Sequence, residues 1–313
     1  MSLEIPRSHN PSERLVKPGW IKAKAPGSPE YLETKDIVRG LRLHTVCEEA
    51  HCPNIGECWT HHTATFLIMG DLCTRRCHFC AVKKGDAETL VALDPHEPNR
   101  VGSAVKELGL QHAVITSVDR DDVADGGAAH YAATVGAIHA QAPSCKIELL
   151  IPDMQGHVED VRTIVSAGIN ILNHNLETVP RLYKKVRPYA GYIRSLSVLR
   201  WGKEIDPSIM TKSGIMLGIG EERDEVLALM DDLRDAGVDI MTIGQYLRPS
   251  AKQLPIRAWV TPEEFKDYEE QGLRRGFKFV ESGPLVRSSY HAWKHSLPVA
   301  TTSNASSHET PAA

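Results

Sequence analysis

The chain has 313 residues, 42% hydrophobic and 24% charged, with a formal net charge of −4, which fits one globular domain of α/β-barrel size or two small ones. That charge leaves no basic footprint for nucleic acid, and no run approaches the ~18 apolar residues needed to span a bilayer. With no apolar stretch behind the first charges to act as a secretory signal, the expected location is the cytoplasm.

Residues 1–30 scatter Pro6, Pro11, Pro18, Pro26 and Pro29 among charges without a helical or strand period, and read as an extended arm lying on the body. Tyr31 to Val46 places Ile37, Val38, Leu41 and Leu43 at short helical spacing and leads straight into a cysteine triad, Cys47, Cys52 and Cys58. Thr65 to Gly70 is a short apolar strand that ends just before a second triad, Cys73, Cys77 and Cys80. Asp94-Pro95-His96-Glu97 has the form of an N-cap with proline at the first helical position, opening a helix to about Leu108. A strand from His112 to Thr116, a helix from Ala128 to Gln141 and a strand from Lys146 to Ile151 follow. The helix near Val158 to Ala167, the strand Ile169 to Leu172, the strand Met210 to Leu217, the helix Asp224 to Ala236 and the strand Ile240 to Gly244 continue the rhythm. Thr261-Pro262-Glu263-Glu264 is a capping box, Phe277 to Glu281 a last strand, and the polar tail 296–313 is expected to be disordered.

Strands alternating with helices, without a glycine-rich dinucleotide turn, predict βαβ units wound into a partial or full α/β barrel. In a barrel the residues just after each strand sit at the C-terminal mouth, where the chemistry is done, and the Cys73 loop falls there.

Six of the seven cysteines lie between residues 47 and 80, a distribution that points to metal ligation rather than disulfides in a reducing compartment. Cys145 stands apart and is expected to be a buried, inert thiol. Three thiolates spaced C-x3-C-x2-C leave one iron of a cubic cluster without a cysteine, so that iron can bind a small molecule and pass it an electron. The spacing resembles that of the radical S-adenosylmethionine enzymes. The alternative is a structural zinc knot, which wants four ligands in a closed shell; His78 lies inside the loop and is expected to pack rather than ligate. The first triad, C-x4-C-x5-C, is too widely spaced for a zinc knuckle and reads as a second cluster whose fourth ligand comes from elsewhere, with structural zinc as the alternative. His51, His61, His62 and His291 are available by type, but each is expected beside the metal or at the surface.

Polar strand ends supply candidate binding groups: Ser117 and Asp119 after the His112 strand, Asn173 and Glu177 after the Ile169 strand, and the loops from Gly218 to Glu221 and from Gln245 to Arg248. Together they could hold an adenosyl ribose and an amino-acid head group, with Arg187 offering a fork of donors to a methionine carboxylate. Ordinary helix capping and solvated loops are the alternative for any one of them.

Over residues 15 to 292 the chain resembles lipoyl synthase. The resemblance rests on the Cys47 triad with its Cys-Pro-Asn-Ile-Gly-Glu-Cys-Trp ending at Trp59, the Cys73 loop and Thr116 to Asp122. It rests also on Asn173 to Thr178, Ser213 to Gly218, Ile243 to Pro249 and Ser282 to Tyr290 with its Arg-Ser-Ser-Tyr sequence. It implies a partial (β/α)6-type TIM barrel over residues 61–282, an N-terminal extension over 1–60 and a C-terminal segment over 283–295, the two extensions carrying an auxiliary cluster. It implies that Cys73, Cys77 and Cys80 hold a 4Fe-4S cluster that cleaves S-adenosyl-L-methionine, and that Cys47, Cys52 and Cys58 hold a second 4Fe-4S cluster. The oxygen ligand of the second cluster would come from Ser288 or Ser289, with Ser289 favoured. The implied reaction is radical-mediated sulfur insertion at C6 and C8 of a protein-bound octanoyl-lysine, the auxiliary cluster giving up its sulfide. The implied partners are octanoylated lipoyl carrier domains (2-oxoacid dehydrogenase E2 subunits and the glycine cleavage H protein), an electron donor of flavodoxin or ferredoxin type, and an iron–sulfur carrier protein, with no nucleic acid and no membrane. The chain departs from the family at Pro255 to Val260, where a tyrosine has become Trp259 and an arginine has moved or gone, and it is more charged over Tyr268 to Arg275, differences that bear on carrier contacts. Another radical sulfur-inserting or methylthiolating enzyme and a zinc-stabilised binding module are the remaining readings.

Overall fold

Short apolar runs separated by amphipathic helices can bury both their faces only as parallel strands with helices packed outside. The computed structural model of the protein, which describes residues 16–61, 63–86, 88–290 and 292, has that architecture. The expected tail at 296–313, the start of the N-terminal arm, His62 and His291 lie outside the described residues.

The chain enters through α1 (Pro29–Gly40), a two-residue strand β1 (His44–Thr45), and the short helices α2 (Val46–Glu49) and α3 (Ile55–Thr60) that carry the first triad. β2 (Thr65–Ile68) opens the main sheet, and a side ribbon of β3 (Leu72–Cys73) and β4 (Lys83–Lys84) flanks the second triad. Then follow α4 (Glu97–Glu107), β5 (His112–Ser117), α5 (Ala128–Gln141), β6 (Lys146–Leu150), α6 (Val158–Val165) and β7 (Ile171–Asn173). The remainder is α7 (Tyr183–Val186), α8 (Tyr192–Ile205), β8 (Met210–Leu217), α9 (Arg223–Asp235), β9 (Ile240–Gln245), α10 (Pro262–Arg274) and β10 (Phe279–Gly283).

The sheet order is β1-β2-β5-β6-β7-β8-β9-β10, parallel throughout except for β1, which runs antiparallel to β2 with His44 opposite Leu67. Six strand–helix units therefore curve round, and β10 adds a seventh parallel strand on β9 with Phe279 opposite Ile240. β1 and β10 are the edges of this sheet and do not pair, which leaves the barrel with one open seam.

Three features depart from expectation. Asp94 does not cap α4: its carboxylate accepts from the His96 backbone N–H at 2.8 Å in a turn, and the helix starts at Glu97 with Pro98 in its first turn. α8 has no counterpart in the sequence pattern, because its Tyr, Ile, Ser and Val residues weaken helix propensity and Gly191 offers no side-chain cap. β1 likewise interrupts the continuous approach expected from α1 to Cys47; two residues are too few for periodicity to register. The Thr261–Glu264 capping box of α10 is present, and α9 has another in Glu222 and Glu225.

Two apolar clusters fill the space between sheet and helices, one around Phe66, Ile115, Tyr131 and Ile147, the other around Leu217, Leu229, Ile243 and Phe265. Inside the barrel a charged network takes the place of an apolar core. Glu148 accepts from Lys212 Nζ at 2.9 Å and from Asn173 Nδ2 at 2.8 Å, with His112 Nε2 at 3.3 Å, and both Glu148 and Lys212 are fully buried. The lysine and histidine hold the Glu148 carboxyl down to about 2 against the opposing effect of burial, so it remains ionised.

Candidate active site

The strand ends and the two cysteine segments enclose one cavity of about 510 Å³. β2 ends in a left-handed turn, Met69 (φ 69°) and Gly70 (φ 90°), that throws the chain over the barrel mouth as the Cys73 loop. The loop is pinned on three sides. The Thr74 backbone N–H and hydroxyl both donate to the Asp119 carbonyl at 3.0 Å, the His78 N–H donates to the Val186 carbonyl at 2.9 Å, and Gln253 Nε2 donates to the Cys80 carbonyl at 3.3 Å. Arg75, only 4% exposed, drives its guanidinium inward to Asp121 (2.8 and 2.9 Å) and Asp153 (2.7 Å), with Asp119 at 3.4 Å. His78 turns away from the cavity, its Nδ1 held 2.7 Å from the Lys185 carbonyl, and so is not placed to ligate alongside the three cysteines.

Cys73, Cys77 and Cys80 all line the cavity, as do Cys47 and Cys52, while Cys58 on α3 lies behind them near Tyr290. Burial pushes the thiols of Cys47, Cys58 and Cys73 up to about 12 and that of Cys77 up to about 11, and raises Cys52 and Cys80 as well. Thiols so raised keep their protons at neutral pH unless a positive centre displaces them. All seven cysteines are free, and among the described residues no trio of His, Cys, Asp or Glu draws close enough to hold a single metal ion. Triads of soft sulfur donors are the chemistry that iron–sulfur clusters take as ligands. Cys145, at the far end of β6, is buried with its thiol pushed up to about 11, and takes no part.

The polar candidates divide. Ser117 lines the cavity and accepts a hydrogen bond from Tyr131 Oη at 2.9 Å. Asp119 stands between the triad and Arg75, with Cys73 Sγ 3.8 Å from its Oδ2, and desolvation raises its carboxyl despite the arginine. Glu177 lies at φ 69° in a bridge to Ile215, a left-handed conformation that is rare for a side chain with a Cβ; burial raises its carboxyl and Arg187 opposes the rise. Arg187 is 8% exposed, donates through Nη1 to the Asn175 carbonyl at 2.6 Å and to Tyr183 Oη at 2.9 Å, and carries its charge toward Cys77. Asn173 does not line the cavity, because it is spent on Glu148 beneath the floor; Asn175, two residues on, faces the space instead. Asn175 Oδ1 and Arg187 Nε are buried with no hydrogen-bond partner among the described residues, a pattern that a polar ligand in the cavity would complete.

The sequence gives His174, Asn175 and Arg287 only as members of longer motifs, with no role of their own. His174 is fully enclosed, with Nδ1 2.8 Å from the Ile151 carbonyl and Nε2 2.9 Å from Ser195 Oγ; burial and the Arg187 charge lower it to about 4. Arg287 places a cation between Cys52 and Glu177, and only its place beside the serine pair could have drawn attention to it. The segment bearing it crosses the end of β9 so closely that a side chain on Gly244 would collide with the Val286 carbonyl. Asn54, beside the first triad, ties the segment down by donating to the Leu285 carbonyl at 2.7 Å. Ser288 Oγ then faces Asn175 Nδ2 at 2.6 Å, whereas Ser289 Oγ faces Thr65 Oγ1 at 2.7 Å on the side of Cys47.

Two family models match the chain: the radical S-adenosylmethionine superfamily over residues 67–244, and the N-terminal domain of lipoyl synthase over residues 4–52. A lipoyl synthase of Rubrobacter xylanophilus is 56% identical over 279 residues, covering 89% of this chain and 86% of the relative. A lipoyl synthase of Roseiflexus is 51% identical over 285 residues, covering 91% and 94%. The crystal structure of a methylornithine synthase superposes with a TM-score of 0.52 at 16% identity, over 69% of this chain and 70% of the other, a likeness of fold.

Proposed function

Because the chain belongs to the lipoyl synthase family of radical S-adenosylmethionine enzymes, we propose that it inserts two sulfur atoms, at C6 and C8, into an octanoyl chain amide-linked to a carrier lysine. The observation that carries this reading is the convergence on one chamber of the Cys73 triad, of Cys47 and Cys52 with Cys58 behind them, and of a serine pair. When bound, two 4Fe-4S clusters and S-adenosylmethionine supply the radical that activates the octanoyl carbons and the sulfur that replaces hydrogen there.

The chain's own work is to hold and to exclude. Cys73, Cys77 and Cys80 are the proposed ligands of the cleaving cluster, and the Arg75 lattice keeps their loop seated. Arg187 and Arg287 supply positive charge for a carboxylate, and Ser117, Asp119 and Glu177, with Asn175 in place of Asn173, supply hydrogen-bonding groups for the polar parts of S-adenosylmethionine. Cys47, Cys52, Cys58 and Ser289 are the proposed ligands of the auxiliary cluster. Ser289 is preferred over Ser288 because its hydroxyl sits by Thr65 on the Cys47 side, while Ser288 is engaged by Asn175. Aliphatic walls such as Leu67, Val118, Ile151 and Ile215 suit a hydrocarbon chain and keep water from a reactive carbon centre.

As a lipoyl synthase the enzyme acts on lipoyl carrier proteins. We assign as the particular carriers the E2 subunits of 2-oxoacid dehydrogenases and the glycine cleavage H protein, with a flavodoxin- or ferredoxin-type electron donor and an iron–sulfur carrier that restores the auxiliary cluster. Among the described residues no helix is long and apolar enough to cross a membrane. The proposed setting is the cytoplasm, where thiols stay reduced.

The test is an anaerobic incubation with an octanoyl-lysyl peptide, S-adenosylmethionine and a strong reductant. Dithiolane product is expected from the wild-type protein, and Cys52→Ala is expected to form 5′-deoxyadenosine without inserting sulfur. Full product from that variant would overturn the division of labour between the triads.

A further inference from the structure

Thr65 is the first residue of β2, 7% exposed, and it touches both halves of the auxiliary site. Its backbone N–H faces the Cys47 thiol, and its hydroxyl donates to Ser289 Oγ at 2.7 Å. No sheet ladder joins the strands from which these groups come: Thr65 stands next to the β1 edge, and Ser289 follows β10, the opposite edge. One residue therefore links a soft ligand, through its backbone, and a hard one, through its side chain, across the seam. The asymmetry of that link matters chemically. A coordinated serine oxygen accepts hydrogen bonds through the same lone pairs with which it binds iron, so a donor held against it weakens its grip on the metal. A sulfur ligand is less affected, since N–H···S bonds are long and weak.

We propose that Thr65 is a positioning residue that keeps Ser289 exchangeable, fixing its oxygen opposite Cys47 while holding part of its electron density in a hydrogen bond. This rests on the reading of Ser289 as a ligand of the auxiliary cluster. A donor at this point suits a site that must release an iron and be refilled. It also gives a reason for threonine at the first position of this strand, where valine would fill the same volume without a hydroxyl.

Thr65→Val and Thr65→Ser, together with Ser289→Ala, test the proposal in the reconstituted protein without any turnover. Each is challenged anaerobically with an iron chelator, and loss of the second cluster is followed by its absorbance and by iron and sulfide remaining per chain. Thr65→Val is expected to lose that iron more slowly than wild type, on the order of fivefold, the scale of one hydrogen bond. Thr65→Ser is expected to restore the wild-type rate. Adding Ser289→Ala to wild type and to Thr65→Val is expected to erase the difference between the two. An unchanged or faster loss in Thr65→Val, with Ser289→Ala altering the rate, overturns the role of Thr65 and leaves the serine ligand standing. A wild-type rate in Ser289→Ala removes the serine ligand itself, and the role of Thr65 falls with it.

Discussion

Replacing Arg75 by methionine keeps most of the buried stem and deletes the guanidinium, which bonds Asp121 through two arms and Asp153 through one. Removing one partner of a fully buried ion pair costs roughly 3–5 kcal/mol. Here the loss is discounted, because Asp121 is 34% exposed and Asp153, although fully buried, keeps Arg194 at 2.7 Å. That leaves about 2–3 kcal/mol, or a fall in melting temperature of roughly 4–12 °C at about 2–4 °C per kcal/mol for a large domain. Arg75→Lys restores the charge without the fork and is expected to recover less than half of the loss. The damage should be local as well as global. Arg76 is exposed on the same loop, so trypsin should cut there faster in Arg75→Met than in wild type under conditions where both remain folded. A melting temperature within about 2 °C of wild type, or lysine serving as well as arginine, would show that the loop is not held by the carboxylate lattice.

Two further outcomes follow from the geometry, beside those given above for Cys52 and Thr65. His174 is lowered to about 4 from an ordinary 6.5, so above pH 6.5 it contributes nothing to the pH dependence; below that the unfolded chain binds a proton that the folded protein refuses, and stability falls toward pH 4 by about 3 kcal/mol. Chemical denaturation at pH 7 and 4.5 should show a shallower decline in His174→Gln, and equal slopes would refute the assignment. Gly244→Ala is expected to push the Val286 carbonyl and its segment off the end of β9, so that the reconstituted variant loses iron from the auxiliary site while retaining that of the Cys73 loop; eight irons per chain in Gly244→Ala would contradict this.

The parts of this molecule that can be read from the sequence are those governed by spacing. Strand and helix alternation places β8 at Met210–Leu217 and α5 at Ala128–Gln141, because local periodicity there agrees with tertiary burial. The parts that escape depend on neighbours far along the chain. Asn173 and Asn175 have the same chemistry and lie on one strand end; which of them meets the cavity is decided by Glu148, 25 residues before Asn173, which claims that residue for the barrel interior. The choice between Ser288 and Ser289 is likewise a matter of contacts 113 and 224 residues away. α8 is invisible to local pattern because its stability comes from packing on α6 and the sheet rather than from its own residues.

The unpaired edges of the sheet have a mechanical meaning. Around the rest of the wall, neighbouring strands are laced by backbone ladders, and prising any pair apart would break several of those bonds at once. Between β1 and β10 the fastening is made of side-chain ties such as Asn54 to Leu285 and Thr65 to Ser289, each worth about 1 kcal/mol. The chamber thus has a laced side and a latch side. Its latch is built from residues that flank the proposed ligands of the auxiliary cluster, so the most lightly fastened part of the wall lies beside that site.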